Sequence, residues 1–350
     1  MMFPRQCRVE NTSEVGQARR LAMAVCREMG LADLPTDEVG LVVTELATNL
    51  AKHTAGAGGQ LVVSPLTVAG EVCIDILALD RGPGIADLGA VLHDSYAAKT
   101  AGDAPLGQSL GLGLGSVRRL SSVFDIYSAP GHGTAVFSRR WQSAPPATAP
   151  ALAVGAVCLP VHGEQACGDA WAMHLGLDSC VILLADGLGH GPDAARAANL
   201  AVSLFENSAP CCPEEWVRVL HAGLANTRGA AVAVAELNLA SGSLRYAGLG
   251  NISGLILAEG TSHNLVSHNG TAGLVAGTIQ QLSYPWPKTH GVLVMHSDGV
   301  ASHWSLQDYP GLAHKHPALI AGVLYRDHRR AHDDSTVIVA KVAERSTGVL

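Results

Sequence analysis

The sequence predicts two α/β domains joined by a short linker, and three observations lead to this prediction. The chain has 350 residues, which is roughly twice the length of a typical single domain. Residues 141–152 are rich in Pro, Ala and Ser and carry neither charge nor hydrophobic periodicity, which is typical of a linker. Helix and strand patterns occur on both sides of this linker. We therefore expect domains at 1–140 and 153–345.

The composition indicates a folded protein and disfavours several classes of partner. The chain is 48% hydrophobic and 15% charged, with a net charge of -7 and no long basic run, which disfavours nucleic acid as a partner. It has no apolar run long enough for a membrane span and no apolar signal core at the N-terminus. Its eight cysteines form no Cys-x-x-Cys motif. We therefore expect a cytoplasmic protein with no membrane or nucleic-acid partner.

The first domain begins with two predicted helices and two strands. One helix is expected at residues 14–29, and a second is expected to start near Thr36, where acids occupy the first turn. The second helix carries Glu45 and Asn49, which share one face because they are four residues apart. By itself, such a helix more often has a few solvated polar residues than a site. Strands are expected at 60–68 and 71–80, where the second ends in an Asp-Arg-Gly sequence.

A glycine-rich segment follows these strands. Residues 110–116 read Leu-Gly-Leu-Gly-Leu-Gly-Ser and open a predicted helix that ends near Leu120. Alternating glycines before a helix N-terminus suit phosphate, because bare amides and the helix dipole both favour an anion. The segment lacks the Gly-Lys-Ser/Thr of a P-loop, and no strand directly precedes it as in a Rossmann turn. Strands at 123–128 and 133–139 complete the domain.

Together these pieces resemble the GHKL ATP-binding fold, an α/β sandwich. Within that group the segment is most similar to the serine kinases and anti-sigma factors of bacterial partner-switching systems, of the RsbT type. The residues that match the N-box, the two glycine boxes and the turn before the last strand are, in order, Glu45, Asn49, Lys52 and His53; Asp80, Gly82 and Gly84; Gly111, Gly113 and Gly115; and Gly131, Gly133 and Thr134.

The resemblance implies a site for ATP with Mg²⁺. Asp80 would accept a hydrogen bond from the adenine amino group, Asn49 would hold Mg²⁺ on the phosphates, and Glu45 would act as a base or orient a water. The second glycine box would form a lid over the phosphates. There is no phospho-acceptor histidine box, so we expect a protein-serine kinase or an ATP-dependent binder rather than a histidine kinase. The remaining nucleotide-binding candidates are Lys52, Gly82, Gly84, Gly111, Gly113, Gly115 and Thr134.

The second domain is predicted to place acids at the ends of its strands. Carboxylates and water suit hard cations such as Mg²⁺ or Mn²⁺, and two such ions can activate a water for attack on phosphorus. One Asp-Gly pair alone more often marks a turn, but several acids at strand ends favour a metal site. A serine hydrolase is disfavoured because no Gly-x-Ser-x-Gly motif is present. The acids are Asp169, Asp186, Asp298 and Asp334.

This half resembles the PPM (type 2C-like) serine/threonine phosphatases of the bacterial SpoIIE and RsbX branch, a β-sandwich flanked by helices. The resemblance implies two Mn²⁺ or Mg²⁺ ions bridged by Asp186, with the Gly187 carbonyl as a ligand. Asp298 and Asp334 would complete one metal, and Asp169 would lie close by. The Arg-x-x-x-Glu-Asp start of eukaryotic relatives is absent, which leaves phosphate binding open. The matching segments are 168–169, 185–191, 248–251, 297–299 and 333–336.

The two resemblances in one chain imply a bifunctional regulator, in which a serine kinase is fused to a metal-dependent phosphatase. The implied catalytic residues are Glu45, Asp186 and Asp298. The implied partners are small antagonist-type phosphoproteins, with a sigma factor or other switch protein downstream. In one alternative, the first domain is an ATP-gated docking or anti-sigma module without phosphotransfer. In another, the second domain is a degenerate sensor. The oligomeric state stays open, with a homodimer as one option.

Overall fold

The computed structural model describes residues 4–92, 113–209, 211–258, 261–287 and 289–343. It is a mixed α/β structure, as the sequence predicts, and it contains two compact units. One unit comprises Met1–Ala147 with Tyr309–Arg326, and the other comprises Thr148–Asp308 with Asp327–Leu350. The domain limits at 1–140 and 153–345 stay a prediction about functional domains; the compact units differ from them by grouping residues 309–326 with the first. Among the described residues, none of the helices combines the length and apolar character that crossing a membrane requires.

The first unit is built on one antiparallel sheet with the strand order β1-β2-β3-β5-β4. Helices pack against one face of this sheet around a common apolar core. The elements before the linker are β1 (Arg5–Val9), α1 (Val15–Glu28), α2 (Asp33–His53), β2 (Gly59–Val68), β3 (Glu71–Asp80), α3 (Leu88–Leu92), α4 (Gly113–Leu120), β4 (Val123–Ser128) and β5 (Thr134–Trp141).

Helix α2 begins three residues earlier than the sequence suggested. Its first residue is Asp33 rather than Thr36, and the backbone amide and hydroxyl of Thr36 both bond to the Ala32 carbonyl, at 3.1 and 2.8 Å. Pro35 stands in the first turn, where its missing N–H costs no helical hydrogen bond. The acids that resembled a helix start therefore lie inside the helix.

Strand β3 is covered on both faces. Ile74, Ile76 and Ala78 belong to the core beneath the helices. Because side chains alternate along a strand, Leu77 and Leu79 point to the opposite face, where both are buried.

Residues 309–326 cover that opposite face and complete the first unit. They include most of helix α7 (Pro317–His328). A Cβ on Gly322 would lie 2.6 Å from Leu77 Cδ2, so the helix packs closely on β3. The rings of Phe137 and His316 stack with centroids 4.1 Å apart, and Arg326 donates a hydrogen bond to the backbone oxygen of Asp80 at 2.7 Å. Long-range packing, rather than a local pattern, assigns this segment to the first unit.

The second unit is a sandwich of two five-stranded antiparallel sheets, with strand orders β15-β10-β9-β8-β7 and β12-β11-β16-β17-β6. Two helices flank the first of these sheets. The elements are β6 (Leu152–Leu159), β7 (Asp169–Leu175), β8 (Ser179–Gly187), α5 (Pro192–Asn207), α6 (Pro213–Gly223), β9 (Ala230–Asn238), β10 (Ser243–Leu249), β11 (Ser253–Ala258), β12 (Thr261–Leu265), β13 (Gly270–Thr271), β14 (Val275–Ala276), β15 (Leu282–Pro285), β16 (Val292–His296) and β17 (Ser335–Val342).

Side chains of strand β8 point alternately to the other sheet and to the flanking helices, so the strand packs against both layers. Ile182 and Leu184 pack into the core between the two sheets. Leu183 and Ala185 point the other way and pack in the core that contains Trp216 of α6. Burial on both faces explains why β8 is a continuous apolar run, and it fixes the position of the acid that follows at residue 186.

We predict that the buried ion pair between Asp75 and Arg139 is essential to the stability of the first unit. The two residues are directly opposite on β3 and β5, and their side chains form two hydrogen bonds of 2.6 and 2.7 Å. Asp75→Asn should lower the free energy of unfolding by about 3 to 5 kcal/mol, because it leaves a buried guanidinium without its counter-charge. Urea denaturation measures this change.

The exposed pair between Arg5 and Glu28 provides the matched control. Its two side chains are 43% and 44% exposed, and exposed pairs are worth about 1 kcal/mol or less. Glu28→Gln should therefore have a much smaller effect on the urea midpoint. Equal effects of the two substitutions would show that the Asp75–Arg139 pair has no special structural weight.

Candidate functional site

The candidate metal site lies at one edge of the β-sandwich in the second unit. Asp169 is the first residue of β7 and lies directly opposite Asp186, near the end of β8, because these strands run antiparallel. Asp298 follows β16, and Asp333 and Asp334 precede β17, its antiparallel neighbour. The end of one strand and the start of its antiparallel neighbour meet at the same edge, so the fold gathers acids that are far apart in the sequence.

Asp186 lies at the electrostatic centre of this cluster. Burial and, after it, the negative charges of Asp169, Asp298, Asp333 and Asp334 together raise its pKa to about 9. Like charges close together in a desolvated setting favour the protonated form of a carboxyl. A bound cation removes this penalty, and carboxylate oxygens are the donors that Mg²⁺ and Mn²⁺ prefer. The donor chemistry therefore fits a hard divalent cation.

Asp169 is held in place by the neighbouring sheet. Its side chain is buried, and one of its oxygens accepts a hydrogen bond from the Ser297 hydroxyl at 2.6 Å. Burial raises the pKa of Asp169 to about 7, against the opposing effect of the Ser297 hydrogen bond. This carboxyl is therefore oriented toward its neighbours before any ion binds.

The two acids before β17 have different surroundings. Asp334 is buried, and its two oxygens accept hydrogen bonds from the backbone amides of Val161 and Gly168, each at 2.8 Å. Asp333 is half-buried, and after burial the largest cause of its raised pKa is the charge of Asp298. The structure thus brings Asp333 beside Asp298, whereas the sequence predicted Asp334, and not Asp333, as a ligand. The repeated Asp-Asp in the sequence was the available signal.

The loop after β16 is fixed by close backbone contacts. A Cβ on Gly299 would lie 1.7 Å from the backbone oxygen of Asp334, so only glycine fits there. Asn251, in the turn between β10 and β11, donates a hydrogen bond to the Asp298 carboxylate at 2.7 Å. These contacts hold Asp298 at the sheet edge.

Gly187 and the glycine-rich loop after β8 complete the surroundings of the cluster. The amide of Gly187 donates to the Gly168 carbonyl at 2.9 Å, which ties the end of β8 to the start of β7. His190, in the same loop, lies 3.4 Å from the Glu164 carboxylate. Within the described residues, no group of three or more His, Cys, Asp or Glu side chains has the geometry of a preformed metal site.

The candidate nucleotide site lies in the first unit, where Asp80 ends β3. One oxygen of Asp80 accepts hydrogen bonds from the amides of Gly82 at 2.8 Å and Thr134 at 3.2 Å. Burial raises the pKa of Asp80, and these two hydrogen bonds lower it. A Cβ on Gly133, whose φ is +69°, would lie 2.1 Å from the Asp80 carbonyl oxygen. The two sequence motifs at 80–84 and 131–134 therefore meet at the end of β3.

The α2 face contributes a second acid to this unit. Glu45 is half-buried and accepts a hydrogen bond from the backbone amide of Gly113, at the start of α4. Burial raises the pKa of Glu45, while this hydrogen bond and the charge of Lys52 lower it. The structure thus joins the predicted N-box to the second glycine box. Asn49 follows one turn later and is half-buried, and Lys52 is exposed.

Two of the remaining nucleotide-binding candidates can be placed, and one cannot. Gly84 adopts a φ of +78° in the turn after β3. Gly115 is buried within α4. Gly111, like the polar segment before it, lies outside the described residues.

Comparison with known families assigns both halves of the chain. Residues 9–138 match the family described as Histidine kinase-like ATPase domain, and residues 178–343 match Stage II sporulation protein E (SpoIIE). The chain therefore combines a histidine kinase-like ATPase domain with a phosphatase domain of the SpoIIE type. Both assignments, and the fold class that they define, confirm the sequence predictions.

Individual relatives agree with this assignment. The first half is 29% identical over 134 residues to the serine/threonine-protein kinase RsbT of Bacillus subtilis (strain 168), which covers 38% of this chain and 93% of RsbT.

Two solved structures are similar to larger parts of the chain. RsbX in complex with magnesium is 19% identical, with 55% of this chain and 96% of that chain covered at a TM-score of 0.49. The phosphatase domain of Bacillus subtilis SpoIIE with a fragment of its regulatory domain is 16% identical, with 96% and 95% covered at a TM-score of 0.48. Both TM-scores lie below 0.5, so the domain assignment depends on the family matches.

We predict that Mn²⁺ binding is coupled to proton release from the carboxylate cluster. The pKa values of Asp169 and Asp186 are raised to about 7 and about 9, so at neutral pH the metal has to displace protons. Apparent Mn²⁺ affinity should rise between pH 6 and pH 8.5. Titration calorimetry in buffers of different ionisation enthalpy measures the protons released.

The same shifts fix the sign of the stability change in metal-free protein. The folded state binds the Asp186 proton more tightly than the unfolded chain does, so the free energy of unfolding falls as the pH rises from about 4 through about 9. Excess Mn²⁺ should reduce this dependence. Metal affinity that is constant across the pH range, with no proton released, would contradict the electrostatic account of the cluster.

Proposed function

We propose that this protein is a bifunctional partner-switching regulator with a protein-serine kinase activity and a metal-dependent protein serine/threonine phosphatase activity. The observation that carries the proposal is that one chain combines a match to nearly the whole of a serine/threonine-protein kinase with a buried cluster of acids in a SpoIIE-type domain. The substrates would be small antagonist-type phosphoproteins, and the output would be release or capture of a sigma factor or other switch protein. The support for these substrates is the similarity of the first half to RsbT.

In the phosphatase half, Asp186 and Asp298 are proposed as ligands of two Mg²⁺ or Mn²⁺ ions, with the Gly187 carbonyl as a further ligand. When bound, the ions would activate a water for attack on a phosphate monoester. Asp333 is proposed as a further metal ligand because it lies close enough to Asp298 for that negative charge to raise its pKa. Asp169 and Asp334, the other predicted ligands, would hold the site's shape through their hydrogen bonds to Ser297 and to backbone amides.

In the kinase half, Asp80 is proposed to accept a hydrogen bond from the adenine amino group. The amides of Gly82 and Thr134 already favour its ionised form, which is the form that accepts. Asn49 would hold the Mg²⁺ of the nucleotide, and Lys52 would face the phosphates. Glu45 would orient or deprotonate the serine hydroxyl of the substrate. Its raised pKa brings it closer to the range that suits a general base.

Asp298→Asn should abolish phosphatase activity and leave nucleotide binding unchanged. Substitution of a residue that supports a metal ligand typically lowers metal affinity or activity by about 10- to 100-fold. Loss of a ligand itself should have a larger effect, so we expect Mn²⁺-dependent hydrolysis of p-nitrophenyl phosphate to fall by at least about 100-fold. Asp178→Asn, an exposed change in the turn between β7 and β8, is the matched control and should retain full activity. Full hydrolysis by the Asp298 variant would refute the metal assignment.

Asp80→Asn should weaken nucleotide binding and leave phosphatase activity unchanged. The charge-assisted hydrogen bond is worth roughly 10- to 100-fold in affinity, by the typical energy of such bonds. A fluorescent ATP analogue measures the affinity, and Asp87→Asn, an exposed change a few residues later, is the control. Unchanged nucleotide binding would show that Asp80 does not contact adenine.

Phosphotransfer itself is tested with radiolabelled ATP and a candidate antagonist protein. Transfer of label to a serine of the antagonist that is lost in Glu45→Gln supports the kinase. Stoichiometric, ATP-dependent binding without label transfer would instead identify the first domain as a docking module.

A further inference from the structure

We propose that Arg228 binds the phosphate group of the substrate in the phosphatase half. This inference rests on the proposed phosphatase function. It names a residue for phosphate binding, which the sequence left open. Arg228 lies between α6 and β9, outside all of the sequence motifs described above. Its place becomes apparent only in the folded chain.

The guanidinium of Arg228 lies against the glycine-rich loop that follows Asp186. A Cβ placed on Gly189 would lie 3.1 Å from Nη2 of Arg228 and 3.5 Å from its Cζ. Gly189 is three residues from Asp186 and two from Gly187, the proposed metal ligands. A guanidinium is therefore present beside the loop that carries the Asp186 and Gly187 ligands.

The turn that carries Arg228 is fixed to this loop by backbone hydrogen bonds. The amide of Leu188 donates to the Gly229 carbonyl at 3.1 Å. Within the turn, the Thr227 hydroxyl donates to the Leu224 carbonyl at 2.8 Å and accepts from the Gly229 amide at 3.0 Å. These contacts hold the Arg228 backbone beside the loop, so the long side chain starts from a defined position.

Arg228 has no counter-ion among the described residues. Its side chain is exposed, and it forms neither an ion pair nor a hydrogen bond with any of them. His190, which belongs to the glycine-rich loop itself, lies 3.4 Å from Glu164 and thus has an acidic neighbour. Of these two groups, Arg228 is the one whose donors are available to a ligand.

The chemistry of the ligand follows from the charges. A cluster of acids repels a phosphate dianion, so a phosphatase site needs positive charge at its rim as well as its metal ions. Guanidinium is planar and presents paired N–H donors that match two phosphate oxygens. The ligand class is therefore a phosphate monoester dianion, such as phosphoserine or phosphothreonine in a protein substrate, and the inorganic phosphate that its hydrolysis releases.

Three variants test this proposal in the full-length, Mn²⁺-loaded protein. Arg228→Ala removes the donors, and Arg228→Lys keeps the charge but loses the paired geometry. Arg196→Ala is the matched control, because Arg196 is exposed in the same unit and lies 3.4 Å from Asp193. The readouts are the affinity for inorganic phosphate by titration calorimetry, the affinity for Mn²⁺, and KM and kcat for a phosphoserine peptide.

Arg228→Ala should weaken inorganic phosphate binding about 10- to 100-fold and raise KM for the peptide by a similar factor. Arg228→Lys should show an intermediate loss, and Arg196→Ala should show none. Mn²⁺ affinity should be the same in all four proteins. A purely structural role for Arg228 would lower Mn²⁺ affinity or thermal stability without a selective effect on phosphate.

The outcomes separate this inference from the proposed function. If the unaltered protein hydrolyses the peptide but Arg228→Ala binds phosphate equally well, the Arg228 assignment is wrong and the phosphatase assignment stands. If phosphate binding is lost in Arg330→Ala instead, the recognition group is the arginine whose amide bonds to the Gly299 carbonyl. If the unaltered protein has no phosphatase activity with Mn²⁺, both assignments fail.

Discussion

The second half of the molecule depends on the mutual repulsion of buried carboxylates at one edge of a β-sandwich. Antiparallel pairing sets Asp169 directly opposite Asp186, and the neighbouring sheet adds Asp298 and Asp333. Without a cation, the protein has to keep protons on these groups, as the raised pKa of Asp186 shows. Such an arrangement lowers the stability of the folded state. Clusters of buried acids of this kind are typical of functional sites, where the carboxylates bind a ligand such as a metal ion.

The first half also has an acid at the end of an apolar strand, but its surroundings differ. Asp80 also ends an apolar strand and is also followed closely by glycine, but backbone amides rather than acids surround it. Two N–H donors favour a single ionised carboxylate, whereas neighbouring acids favour either a proton or a metal. Asp80 and Asp186 each follow apolar residues of a strand and precede a glycine by two residues and one residue, respectively. Their neighbours in space, most of which come from distant parts of the chain, decide what each carboxylate can bind.

The sequence predicted the strands and helices near these sites because their patterns are local. Strand β3 is a largely apolar run bounded by turn residues, and its predicted limits of 71–80 match those observed. The start of α2 was misplaced because the acids after Thr36 resembled a first helical turn, whereas the helix begins at Asp33 and accepts Pro35 in its first turn. The short strands between residues 261 and 285 were not predicted, since two- to five-residue strands leave little periodicity to detect.

The features that the sequence did not predict are those set by long-range packing. Residues 309–326 follow the second domain in the chain, yet they cover the free face of the first unit's sheet. The distinction between Asp333 and Asp334 depends on which carboxylate meets the amides of Val161 and Gly168. Arg228 belongs to no motif, and its position emerges only from the turn that joins it to the Asp186 loop. In each case the decisive neighbour lies at least tens of residues away in the sequence.

The most direct test of the central claim is anomalous X-ray diffraction from crystals of the protein grown with Mn²⁺. The account predicts manganese peaks within bonding distance of the Asp186 and Asp298 carboxylates, with Asp186 shared between two ions. The peak beside Asp298 should be lost in crystals of the Asp298→Asn variant. Manganese bound elsewhere on the protein, with none at Asp186, would contradict the assignment of this carboxylate cluster as a metal centre.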